Sequence, residues 1–157
     1  MPERPPQARA GADVDLRLAR GRPVRRDEAA VLAVVAAGGA AGALARYGIG
    51  QAWPTDAARF PATTLGINLV GCALIGILMV LVSDVWTGHR LLRPFLGTGL
   101  LGGFTTFSTY AVDVQRLTTT GHAAAGLAYL LATPLGALVA VWGTAAGTRR
   151  LVERRKR

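Results

Sequence analysis

Charge is scarce along most of this chain. Between Ala29 and Gly147 the only basic residues are Arg46, Arg59, Arg90, Arg93 and Arg116, and the only acidic ones are Asp56, Asp84 and Asp113. Charged residues make up 17% of the whole, against roughly 25% in a soluble domain. A soluble core with so thin a polar shell would not stay dispersed, which excludes an ordinary globular protein. Cys72 is the single cysteine. It excludes an internal disulfide and a thiolate zinc cage, and its apolar surroundings make it a small packing residue. No Asp, Glu or Lys stands in the middle of an apolar segment, so the titratable carboxylate of a proton-coupled antiporter is missing. There is no nucleophile–base pair, metal-ligand cluster or phosphate loop, and an enzyme is not expected. The first thirty residues contain no apolar stretch with a small-residue cleavage site, so no cleavable signal peptide is expected. The basic balance (pI near 11.4) invites nucleic acid as a partner. Basic residues are not interleaved with aromatics for base stacking, however, and basic tails around apolar segments are what membrane orientation requires.

What remains is apolar sequence in four pieces of spanning length. The first is about Ala29–Gly50, the second Pro61–Val82, the third Leu91–Leu117 and the fourth His122–Ala146. They define a membrane domain over 29–147, flanked by a disordered basic tail over 1–28 and a basic tail over 148–157. Trp53 and Trp86 lie in the loops, suited to the membrane interface. With four spans both tails share a side with the loop carrying Arg90 and Arg93. That side then holds fifteen of the eighteen Lys/Arg residues, against Arg59 and Arg116 opposite, with Arg46 near the end of the first span. Both termini are therefore expected to be cytoplasmic, in a multi-pass protein of the cell membrane.

The polar residues within the spans are few and patterned. In the first, Gly38, Gly42 and Arg46 fall four apart on one face, where small residues let another helix approach closely. In the second, "PATTLGINLVG" sets Thr64 and Asn68 on one face. A buried amide either bridges helices or lines a wet path, and it offers two donors that an anion can use. The third contains "GTGLLGGFTTFST", Gly97 to Thr109. Gly102 and Gly103 permit backbone angles closed to other residues, and the hydroxyls can satisfy groups that a break would free. The stretch reads either as a broken helix at an ion site or as a small-residue packing surface. In the fourth, Tyr129 and Thr133 precede Pro134. Thr133 can equally bond its own i−4 carbonyl, and Tyr129 can be core.

"GGAAGALARY", "PATTLGINLVG" and "GGFTTFST", in that order, strongly resemble the Fluc/CrcB family of fluoride channels. The resemblance covers about Leu32–Ala146 and leaves out the N-terminal tail. It implies an all-α integral membrane protein of four transmembrane helices with the third one broken, paired as an antiparallel dimer. It implies two pores and a central structural sodium ion held by backbone carbonyls of Gly102 and Thr105. The fluoride path carried over comprises Asn68, Phe107, Tyr110, Ser108, Thr64 and Thr133, with Arg46 matching the first-span arginine. The activity implied is passive, fluoride-selective export that lowers the toxicity of cytoplasmic fluoride.

Three positions depart from the family pattern. Tyr110 stands where a second phenylalanine is usual, Asp113 replaces a common glutamate, and Ala137 replaces a frequent serine. The charge asymmetry is a fourth departure. Opposed copies of one chain must insert both ways, and fifteen against two does not favour that. The expectation is a heterodimer with a similar, oppositely charged subunit, each copy having lost part of a pore; the homodimer is the alternative. A non-conducting assembly subunit and a small four-span drug exporter are the competing functions, the latter lacking its membrane carboxylate.

Overall fold

The computed structural model describes residues 26–56, 59–84 and 90–155. Residues 1–25, 57–58, 85–89 (with Trp86) and 156–157 lie outside the described residues. Among the described residues six helical elements follow in order: α1 (Arg26–Ala52), α2 (Ala62–Asp84), α3 (Pro94–Leu101), α4 (Gly102–Phe104), α5 (Ser108–Thr119) and α6 (Ala123–Arg155). Among the described residues there is no strand. Helices α1, α2 and α6 are each long and apolar enough to cross a membrane. The third apolar segment is helical in pieces.

Two boundaries differ from expectation. Arg26–Glu28, assigned to the tail on sequence, are already part of helix α1, where Asp27 and Glu28 suit the positive end of the helix dipole. Asp27 also pairs with Arg90 at 3.1 Å, tying the helix start to the third segment. At the other end α6 continues to Arg155. Arg154 and Arg155 in its last turn suit the negative end of the dipole, so most of the expected C-terminal tail is helix.

The break also lies elsewhere than the glycines suggested. Gly102 has ordinary helical angles (φ −64°, ψ −38°), and the only positive φ among the described residues is at Gly121. The helix is left instead at Thr105 (φ −78°, ψ 158°) and resumes at Ser108. What Gly103 provides is closeness. A Cβ there would come within 2.9 Å of the Gly39 Cα. One on Gly42 would overlap the Leu100 carbonyl oxygen. Gly38 and Gly42 are the buried residues of α1, so its glycine face lies backbone to backbone on α3 and α4. Before the glycine pair, α3 is wound as a π-helix, opened by Pro94. The Gly102 N–H reaches back to the Gly97 and Gly99 carbonyls.

Helix α6 packs on α2 and on α5. The two halves of the third segment thus rest on different partners, α3–α4 on α1 and α5 on α6. Where α5 meets α6, Tyr110, Leu117 and Tyr129 form the buried core, with Tyr129 fully enclosed. Phe60 meets the Tyr129 ring edge-on at 5.4 Å, and Tyr110 lies at 5.4 Å from it on another side.

Candidate functional site

A break in a helix frees backbone donors and acceptors, and at membrane depth each must find a partner. Here the partners are side chains. Asn68 on α2 accepts the Thr106 N–H at 2.8 Å and donates Nδ2 to the Thr106 carbonyl at 2.9 Å, holding both backbone groups of that residue. The Thr106 hydroxyl accepts the Thr109 N–H at 3.1 Å and donates to the Thr109 hydroxyl at 3.0 Å, capping α5. Thr105 sends both its N–H and its hydroxyl to the Leu101 carbonyl, each at 3.0 Å. From α1, Arg46 donates Nε to the Gly103 carbonyl at 3.2 Å.

These bonds have a consequence for the carbonyls of Gly102 and Thr105. In an unbroken helix Gly102 would receive the Thr106 N–H and Thr105 the Thr109 N–H. Both donors are diverted, one to Asn68 and the other to the Thr106 hydroxyl. Gly102 is exposed and Thr105 half-buried. Two carbonyl oxygens relieved of their helical donors fit a hard cation such as sodium, which takes oxygen ligands.

On one side of the break lies an open groove of about 290 Å³. Asn68, Thr105, Phe107, Tyr110 and Thr133 wall it, together with Cys72, Thr106, Pro134 and Ala137. Phe107 stands 80% exposed at its edge, with its ring 5.6 Å from that of Tyr110. Thr133 donates its hydroxyl to the Tyr129 carbonyl at 3.0 Å, the local bond that its sequence position allowed. Tyr110 donates its hydroxyl to the Leu130 carbonyl at 2.8 Å.

A second, more polar cavity of about 330 Å³ also borders the break and shares Thr106 with the groove. Arg46 and Thr64 open onto it, with Thr106, Thr109, Asp113 and Arg116. Asp113 and Arg116 approach to 3.3 Å, both largely buried. Their alignment makes no hydrogen bond: Asp113 Oδ2 and Arg116 Nε and Nη2 are buried without such a partner. Ser108 faces outward, 3.3 Å from the Thr106 hydroxyl.

The expected site residues therefore divide. Asn68, Thr105, Phe107, Tyr110 and Thr133 share the groove. Arg46 and Thr64 open on the second cavity, and Gly102 and Ser108 flank the break at the surface. Sequence reasoning missed Thr106, whose signal was a threonine three residues before Thr109 at a helix start. It also treated Cys72 as packing alone and left Tyr129 outside the site. The Tyr129 hydroxyl is buried with no hydrogen-bond partner.

Apolar spanning helices around one broken helix, its free backbone groups held by polar side chains and bordered by a groove, define an integral membrane protein built around an ion or solute path. Comparison narrows the class. The family model described as "CrcB-like protein, Camphor Resistance (CrcB)" matches residues 33–145. A Streptomyces coelicolor protein named "Fluoride-specific ion channel FluC 1" is 57% identical over 131 residues, 83% of this chain and 85% of its own length. "Fluoride-specific ion channel FluC 2" of Streptomyces avermitilis is 55% identical over 88% of each chain. A protein of the same name from Nocardia farcinica is 47% identical over 76% of this chain and 91% of its own. The chain belongs to the CrcB-like family, and it is not an enzyme.

Proposed function

We infer that the chain is a fluoride-selective passive channel that releases cytoplasmic fluoride. The relatives bearing that name support it, and one observation on this chain carries it. Asn68, Phe107 and Thr133 converge on a groove beside a broken helix, and among the described residues no carboxylate lines that groove. Fluoride is small and tightly hydrated, so its water must be replaced by closely placed donors. Asn68 commits one Nδ2 hydrogen to Thr106 and retains a second. The electropositive edge of the Phe107 ring offers a weak further contact. Neutral donors bind an anion without holding it too tightly for release.

The stretch from Pro94 to Thr119 is the third of four spans, with α1, α2 and α6 the others. As helix its 26 residues would reach about 39 Å, enough for the hydrocarbon core. The protein works as an antiparallel dimer with two pores. The exposed Phe107 ring and the open groove beside it are the surfaces a second subunit would cover. Two carbonyls are too few for a cation, and the same pair from a second subunit would complete a sodium site between the breaks. Sodium would supply positive charge there and fix the two breaks against each other; Gly102 and Thr105 are the residues that would hold it. Both termini are cytoplasmic on charge grounds. The same asymmetry favours pairing with a similar subunit of opposite charge bias over self-pairing.

The test is fluoride efflux from liposomes containing this chain alone, and then with a related subunit of opposite charge bias. Rapid efflux alone, with chloride retained, establishes a self-sufficient channel and removes the need for a partner. Efflux only with the partner establishes the heterodimer. Silence in both overturns the channel reading.

A further inference from the structure

Proline inside a helix leaves a debt one turn back. Pro134 lies inside α6, has no N–H, and so leaves the carbonyl four residues earlier without its helical donor. That carbonyl belongs to Leu130. In an apolar span with no water at hand, an acceptor without a donor is costly. The donor comes from another helix: the Tyr110 hydroxyl on α5 reaches the Leu130 oxygen at 2.8 Å. Tyr110 is 8% exposed, and its ring packs between Phe107 and Tyr129.

We propose that Tyr110 is a positioning residue whose hydroxyl replaces the N–H that Pro134 lacks, locking α5, and Phe107 with it, at one setting against α6. The hydroxyl is aimed at a backbone oxygen. It is therefore neither a ligand for the ion nor an obstruction in the groove. A phenylalanine would keep the ring but leave the Leu130 carbonyl open, so in this chain tyrosine and proline form a matched pair across two helices. The lock acts on the groove of the proposed channel and in that respect rests on the channel reading; the bond itself does not.

The experiment is a double-mutant cycle of Tyr110→Phe and Pro134→Ala in the full chain. It is read by fluoride efflux from liposomes and, separately, by thermal unfolding in detergent. Tyr110→Phe alone should lower the unfolding temperature and slow efflux about tenfold, the scale set by losing one buried hydrogen bond. Pro134→Ala restores a backbone N–H facing Leu130. In that background Tyr110→Phe should change efflux less than about twofold and leave the unfolding temperature almost unmoved, which a role confined to packing the ring would not produce. Equal effects of Tyr110→Phe in both backgrounds would overturn the proposal, as would faster efflux or an altered halide preference from Tyr110→Phe alone. If no variant conducts fluoride, the unfolding temperatures still decide the lock, and only the channel reading falls.

Discussion

The amide of Asn68 pairs with both backbone groups of Thr106, taking its N–H at 2.8 Å and feeding its carbonyl at 2.9 Å. One side chain on α2 thus does for the break what a turn of helix would otherwise do, and it also fixes which of its hydrogens is left for the groove.

Substitutions at Asn68 should separate those two tasks. Asn68→Asp can still accept the Thr106 N–H but cannot donate to its carbonyl, and it brings negative charge to the groove. Fluoride efflux should fall at least tenfold with the fold retained. Asn68→Ala removes both bonds and should cost roughly 2–4 kcal/mol of stability. Normal efflux in Asn68→Asp would remove Asn68 from the anion path.

The glycine contacts predict a sharp contrast along one helix. Gly42→Ala drives a methyl into the Leu100 carbonyl and should destabilise by about 2–3 kcal/mol or abolish folding. Gly48→Ala, two turns further on, meets nothing within 4 Å and should be neutral, or stabilising by up to about 1 kcal/mol through helix propensity. Thermal unfolding of the two purified variants checks this.

Asp113 and Arg116 should behave as a unit. Removing one charge strands the other in a largely buried place, so Asp113→Asn and Arg116→Gln should each destabilise by roughly 1–3 kcal/mol. The double variant should lose much less than their sum. Additive losses would mean that the 3.3 Å approach carries no coupling.

Replacing sodium with a large organic cation should weaken the proposed dimer and slow efflux. A carbonyl cage sized for sodium cannot close on a bulky ion. Dimer dissociation in detergent, followed as sodium is titrated back, is the direct measurement. Indifference to sodium would leave the carbonyls of Gly102 and Thr105 without a cation.

Segmental hydropathy made the four apolar pieces legible, and residue type made most of the groove legible, because amides and hydroxyls are rare in apolar spans. Register across helices was not legible. Gly102 and Gly103 looked like the break because glycine permits unusual angles, whereas Gly103 here serves close approach to Gly39. The true break falls at Thr105, Thr106 and Phe107, where Thr105 turns extended and Asn68 reaches across from another helix to hold the Thr106 backbone. The orphaned Leu130 carbonyl could be deduced from Pro134, but not that Tyr110 would supply its donor. Thr64 and Arg46 share their helix faces with Asn68 and Gly42 in sequence, yet both open on a different cavity from Asn68, a division only the packed helices reveal.

The glycine seam between α1 and the first half of the third segment has a mechanical meaning. Two rods in direct backbone contact have no cushion of side chains to compress or re-pack, so that half of the protein behaves as a fixed post. The other half is joined to its neighbours through rings, hydroxyls and a proline-containing helix, all of which can give by fractions of an ångström. Any adjustment needed to pass an ion must be absorbed there, so substitutions that tune conduction without unfolding the protein should gather on α2, α5 and α6 and be rare along the glycine face of α1.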